Sequence, residues 1–255
     1  MITIKTKQDI EYLKEGGKRL AYILTELEKA TVPGVTSVEL NTLAQKMVDE
    51  YGDKSAFLHY TPEGARRPYP SSLCVSINDE IVHGISSEVA KVIKEGDIVS
   101  LDMGITHNGL ILDSARTVCV GNVNKKVLEL VRTTKEAMYA GIMEAKGGNK
   151  VGDIGFAIER YAKDNGFGIA EGLAGHGVGY HVHEDPYVPN RGKKGTGEEL
   201  VPGMVIAIEP MFNLGRGGIV LDSDGYTYKT ADGSVSAHFE HTVLITAGEP
   251  VILTE

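Results

Sequence analysis

The sequence predicts an α+β fold in which helices cover a mainly antiparallel, curved sheet. Three observations carry that expectation. Helical periodicity dominates the first third of the chain and returns in the middle, and apolar runs with strand character follow it. One segment, "IVSLDMGITHNGLILDSARTVCV", has the pattern of a long hairpin. No low-complexity linker separates these parts, so residues 1–255 are read as a single domain.

Taken in order, Ile10, Leu13, Leu20, Leu24 and Leu27 recur near helical spacing behind Thr6, a candidate N-cap. Thr36 and Glu39 in "TSVE" fit a capping box, opening a second helix that runs to about Tyr51. Residues 52–72, with Pro62, Pro68, Pro70 and the adjacent Arg66 and Arg67, are read as a loop. "LCVSIND" follows as a short buried strand ending in a turn. Two further helices are expected, from Lys125 to about Ala145 and from Ile154 to Asn165, then strands in "MVIAIEPMF" and "SVSAHFEHTVLITA".

Composition narrows the function. A formal net charge of −9 argues against a surface built for nucleic-acid phosphates. No apolar run reaches the roughly 18 residues of a membrane span, and "MITIKTKQDIEYLKEGG" lacks the apolar core of a secretory signal. Cys74 and Cys119 lie far apart and outside any CxxC pattern, which speaks against a disulfide scaffold or a thiolate zinc site. The cytoplasm is the expected compartment, with neither nucleic acid nor membrane as a partner.

The hairpin carries the first chemistry. Asn108-Gly109 between two apolar runs favours a two-residue turn. Counting back, His107 pairs with Leu110, Thr106 with Ile111, Ile105 with Leu112 and Gly104 with Asp113. Asp102 then shares a face with Asp113 as its diagonal neighbour, roughly 7–8 Å away at the backbone. Gly104 opposite Asp113 is expected to leave room for an ion, while Leu101, Ile105 and Leu112 point into a core. Buried aspartates need compensating positive charge; Arg116 could serve one, and a face open to water would serve both. Glu209 in "VIAIEP" and Glu240 in "AHFEHTVLI" are also acids in apolar strands. One metal centre accounts for all four.

"AGHGVGYHVHEDP" places His176, His181 and His183 within eight positions. If the stretch after Gly179 is extended, His181 and His183 share a face. His176 stands between two glycines, where something can approach the backbone closely.

Two aspartates eleven positions apart, followed by "GHGVG", "IEP" and "FEH", resemble methionine aminopeptidases in their short bacterial form, type I. The resemblance runs from the first helix to the last strand, and it implies the pita-bread (creatinase/aminopeptidase) fold. The 33 positions from His176 to Glu209 leave no room for the long insertion of type II. It implies two divalent ions (Co, Mn, Fe or Zn) held by Asp102, Asp113, His176, Glu209 and Glu240. Asp113 and Glu240 would bridge the ions; Asp102 would complete one shell, and His176 with Glu209 the other. Four carboxylates and two divalent cations sum to neutrality.

The activity implied is removal of the N-terminal methionine from newly made proteins and peptides by metal-assisted hydrolysis. Glu209 would be ligand and proton shuttle together. His83 in "IVHG" would contact the substrate near the scissile amide, and His183 would hydrogen-bond the scissile carbonyl and the tetrahedral intermediate. His181 has no place in the pattern. Tyr69, Cys74 and Tyr226 would wall the pocket for the leaving residue. The chain departs from the usual pattern there: Val182 stands where an aromatic residue is common, Tyr226 where a tryptophan is common, and "TPEGARRP" at 61–68 is longer and more charged. Action on nascent chains at the ribosome is implied by the resemblance alone, and a monomer is the default expectation.

Three other readings compete. A proline-directed aminopeptidase or dipeptidase of the same fold usually carries an additional N-terminal domain. A non-catalytic pita-bread binding protein typically loses metal ligands, and all five are present here. A structural metal site in an unrelated α+β protein would leave His83 and His183 without a role.

Overall fold

The first two helices begin where their caps are expected. In the computed structural model, which describes residues 2–255, α1 (Lys7–Ala30) starts behind Thr6. The Thr6 hydroxyl accepts from the Asp9 amide and the Asp9 carboxylate accepts from the Thr6 amide. Thr36 and Glu39 repeat this at α2 (Ser37–Tyr51), which Gly52 closes in the left-handed conformation. Leu13, Leu20, Leu24 and Leu27 of α1 are fully buried, each contributing about 1.5–3 kcal/mol by leaving water. They pack on the hairpin strands Ile98–His107 and Leu110–Cys119. A methyl group at Gly17 would lie 1.9 Å from the Leu253 carbonyl oxygen, so this close approach demands glycine.

The hairpin turns at Asn108 and Gly109, both at positive φ, and its register pairs His107 with Leu110 and Gly104 with Asp113, as the turn requires. Leu101, Ile105 and Leu112 enter the core beneath α1. Asp102 and Asp113 therefore project from the opposite face.

The hairpin is the centre of a nine-stranded sheet, antiparallel at every pairing. Beyond Leu110–Cys119 come Glu240–Leu244, Val205–Ile208, Gly175–Gly177 and Glu184–Val188. Two helices, α3 (Lys125–Glu144) and α4 (Val151–Asn165), cover this second half with a core that includes Met138, Ile158, Ile206 and Phe212. Two small three-stranded sheets complete the fold. No helix among the described residues is long and apolar enough to cross a membrane.

The structure departs from the sequence expectations at element boundaries. Helix α4 starts at Val151 rather than Ile154. Its first turn holds Gly152 and Gly155, poor helix formers whose missing side chains let the carbonyls of Lys193, Thr196 and Arg191 come close. Each late apolar run is two strands, not one. The first breaks at Glu209-Pro210, between Val205–Ile208 and Met211–Asn213, and the second at Phe239, between Ser236–His238 and Glu240–Leu244. The expected loop 52–72 contains a short edge strand, Lys54–Ser55.

Candidate metal centre and substrate pocket

Three adjacent strands deliver three acids to one spot. Asp102 pairs with Ala115, and Ala115 on its other side pairs with Glu240. Residues paired across strands share a face, so Asp102, the small Ala115 and Glu240 form a row. Asp113, two positions before Ala115, lies on the same face. Asp102 Oδ1, Asp113 Oδ1 and Glu240 Oε1 are buried with no hydrogen-bond partner. Buried polar atoms are normally satisfied, and three orphaned carboxylate oxygens on one sheet face suit a cation's donor set.

Imidazole completes the set. Nδ1 of His176 lies 2.9 Å from the Gly177 carbonyl oxygen. A carbonyl can only accept, so Nδ1 carries the proton and Nε2 presents a lone pair. Ligand atoms of His176, Asp113 and Glu240 lie within 4.8 Å of one another. His176 Nε2 is 3.4 Å from Glu209 Oε1, and His238 Nε2 is 3.6 Å from Glu209 Oε2, so two imidazoles bracket that carboxylate. The donor set suits a borderline transition-metal ion.

Without a cation the cluster resists ionisation. Burial, then the Asp113 charge, holds Asp102 well above the usual carboxylate range. Burial lifts Asp113 to about 7, and it lifts Glu209 and Glu240 well above normal, with the neighbouring carboxylates adding to the rise. Burial pushes His176 down to about 3 and His83 to about 4, so both imidazoles are neutral at pH 7 and free to coordinate or hydrogen-bond.

Every site residue singled out in the sequence lines one cavity of about 320 Å³. Three local expectations need correction. The space opposite Asp113 is not left for an ion: a methyl at Gly104 would meet the Phe57 ring at 2.8 Å. Arg116 pairs with Leu101 on the far face and binds Glu28, so it does not serve the aspartates. Residues 181–183 form bends rather than a strand, so His181 and His183 share no strand face; His181 is exposed, and the His183 ring packs edge-on against His176 with centroids 4.6 Å apart.

The apolar end of the cavity is a cluster of Phe57, Tyr69, Cys74, Val182 and Tyr226. Tyr69 and Tyr226 meet edge to face at 5.1 Å, and the Tyr69 hydroxyl donates to the Gly84 carbonyl. The Tyr226 hydroxyl donates to the Arg67 carbonyl, and Arg67 pairs with Glu88 through both carboxylate oxygens. The unusual Tyr226 and the unusual 61–68 loop thus support each other. His83 sits at φ 59, a positive φ uncommon outside glycine.

Sequence reasoning missed Phe57, Tyr60 and Met211 in the lining, and it gave His238 no definite role. Tyr60 belonged to a stretch read only as loop. His238 sits two residues before Glu240, and that closeness in sequence was the available signal. His241, its counterpart, instead hydrogen-bonds Thr254 in the core.

Comparison with known proteins matches residues 11–247 to metallopeptidase family M24. The chain is 45% identical over 258 residues to the methionine aminopeptidase of Aquifex aeolicus, covering 100% of this chain and 99% of that protein. With the Clostridium acetobutylicum methionine aminopeptidase it shares 41% over 254 residues, again 100% and 99%. The crystal structure of Thermotoga maritima methionine aminopeptidase superposes with a TM-score of 0.95 at 43% identity, each chain fully covered. Prolidase from Pyrococcus furiosus shares the fold at a TM-score of 0.76 and 24% identity, with 65% of its length covered. A buried carboxylate–imidazole centre on a pita-bread sheet and full-length likeness to the three methionine aminopeptidases lead to one assignment: the chain belongs to metallopeptidase family M24, among the methionine aminopeptidases.

Proposed function

We propose that this chain removes the N-terminal methionine from newly made proteins and peptides by hydrolysis at two divalent metal ions (Co, Mn, Fe or Zn). The observation that carries the reading is the cluster of Asp113, His176 and Glu240, whose ligand atoms lie within 4.8 Å of one another, with unpartnered buried oxygens on Asp102, Asp113 and Glu240. In this reading Asp102, Asp113, His176, Glu209 and Glu240 would hold the ions. When bound, such a pair supplies Lewis acidity toward a peptide carbonyl and activation of water near neutral pH.

The remaining work falls to side chains. Glu209 takes the proton from the attacking water and passes it to the leaving amine, a role suited to a carboxyl whose surroundings raise its proton affinity. His83, kept neutral by burial, hydrogen-bonds the substrate near the scissile amide. His183 donates to the scissile carbonyl as negative charge develops on it. Tyr69, Cys74 and Tyr226 enclose the methionine side chain, whose flexibility suits an irregular apolar pocket. The free α-amine of the substrate belongs beside the acids, which confines cleavage to the first residue.

The full reading is of one catalytic domain over residues 1–255, acting as a cytoplasmic monomer on nascent chains at the ribosome. The test is release of free amino acid from peptides beginning Met-Ala, Met-Lys and Ala-Pro, with added Mn or Co and with Asp113→Asn. Release of Met from Met-Ala, abolished by the substitution, is the expected result. Release only from Ala-Pro would move the chain to a proline-directed activity, and silence with metal bound would point to a binding protein.

A further inference from the structure

The hydroxyl of Tyr60 lies 2.9 Å from Nδ1 of His183, across 123 positions of sequence, and the two rings pack with centroids 5.6 Å apart. The Tyr60 hydroxyl has no other protein hydrogen-bond partner among the described residues. Burial holds the phenol above its ordinary value, so it keeps its proton at neutral pH and that proton needs an acceptor. Tyr60 is also firmly placed. The Tyr69 amide donates to the Tyr60 carbonyl at 2.8 Å, and the His59 amide donates to the Tyr69 carbonyl at 2.9 Å. These two bonds clasp the base of the 61–68 loop.

We propose that Tyr60 is a positioning residue that fixes the tautomer of His183, holding Nδ1 as acceptor so that Nε2–H faces the substrate carbonyl. A neutral imidazole has one donor and one acceptor. If Nδ1 carried the proton, the Tyr60 hydroxyl would accept and its own proton would have no protein partner. Nε2 would then meet a carbonyl oxygen as a second acceptor, which repels. The Nε2–H tautomer satisfies the phenol, both ring nitrogens and the incoming carbonyl together. Orientation of an imidazole by a fixed partner on its other nitrogen is a general device, and loss of the right tautomer lowers turnover rather than binding. The proposal rests on the reading of His183 as donor to the substrate.

The test separates the two. Nitrogen-15 spectra of the zinc-loaded protein, with the His183 signals assigned by their loss in His183→Gln, report which ring nitrogen carries hydrogen. The chain has eight histidines, so that assignment is practicable. Wild type is expected to show the Nε2–H tautomer at His183. Tyr60→Phe, which keeps the ring packing, is expected to show a mixture, with kcat on Met-Ala down about ten- to hundredfold and KM changed less than about threefold. An Nδ1–H tautomer in wild type, or an unaltered tautomer in Tyr60→Phe, would overturn the proposal. Should wild type release no methionine, the donor reading fails, while the spectra still decide the role of Tyr60.

Discussion

Lys5 Nζ lies 2.7 Å from Glu184 Oε2, with 0% and 2% of the two side chains exposed. Glu184 directly follows His183, and its carboxylate also accepts from the amides of Tyr180 and His181 and from the Thr3 hydroxyl. Thr3 and Lys5, just ahead of α1, therefore hold the turn that carries His183. Burial alone would raise the Glu184 carboxyl, but hydrogen bonds from Lys5 and Thr3 keep it below its ordinary value. Lys5→Met is expected to lower stability by about 3 kcal/mol, because it strands a buried carboxylate. The double variant with Glu184→Gln should be less destabilised than the sum of the singles. Urea unfolding of the four proteins measures this; a loss under about 1 kcal/mol for Lys5→Met would show the pair to be solvated.

Removal of metal has a signed pH dependence. In the metal-free protein Asp113 titrates at about 7, raised by burial from the ordinary 3.8. A raised carboxyl contributes its stability below the unfolded value and loses it as pH rises through the folded one. Metal-free protein is thus expected to weaken between about pH 4 and 7, by up to about 1.4 kcal/mol per unit for each such group. Glu209 and Glu240, raised well above normal, carry the loss further. The gap in unfolding free energy between loaded and chelated protein should therefore widen from pH 6 to 7.5. A gap that stayed constant would mean the carboxylates are not concentrated as described.

Much of this site was legible because local rules fixed the geometry. Asn108-Gly109 set the hairpin register, and period-two alternation then put Asp102 and Asp113 on one face. Thr6 and Thr36 marked two helix starts through their own hydrogen bonds. What stayed hidden depends on contacts between distant segments. The glycines opening α4 look like helix breakers until the 189–196 carbonyls are seen against them. The breaks at Glu209 and Phe239 fall inside continuous apolar runs, where periodicity has no signal. Tyr60 gains meaning only beside His183.

The apolar end of the pocket offers a test of selectivity. Val182 is 5% exposed and packs in the same cluster as Tyr69 and Tyr226. Val182→Phe adds an aromatic wall where the leaving side chain is expected to sit, the residue type common at this position in the family. Preference for Met over Ala at the first position should rise by about tenfold, within the roughly 1–3 kcal/mol such pocket changes command. Peptides Met-Ala-Ser and Ala-Ala-Ser, compared by kcat/KM, measure it. An unchanged ratio would place the methionine side chain elsewhere.

Ala115 and Gly104 distinguish the metal's space from the pocket wall. Ala115 stands in register between Asp102 and Glu240, so added methyl groups there intrude among the acids. At Gly104 the first atom met is Cε1 of Phe57, 2.8 Å from where a methyl would stand. Ala115→Val is therefore expected to weaken metal affinity by at least about tenfold, since coordination tolerates little displacement of its donors. The metal-free form should lose only about 1–3 kcal/mol, the range for overpacking. Gly104→Ala should leave metal affinity within about threefold while raising KM for Met-Ala, because Phe57 must shift toward the pocket. Calorimetric titration with Zn or Mn, beside peptide kinetics, separates the two variants. If Gly104→Ala weakened metal binding more than Ala115→Val, the ion's space would lie opposite Asp113 after all.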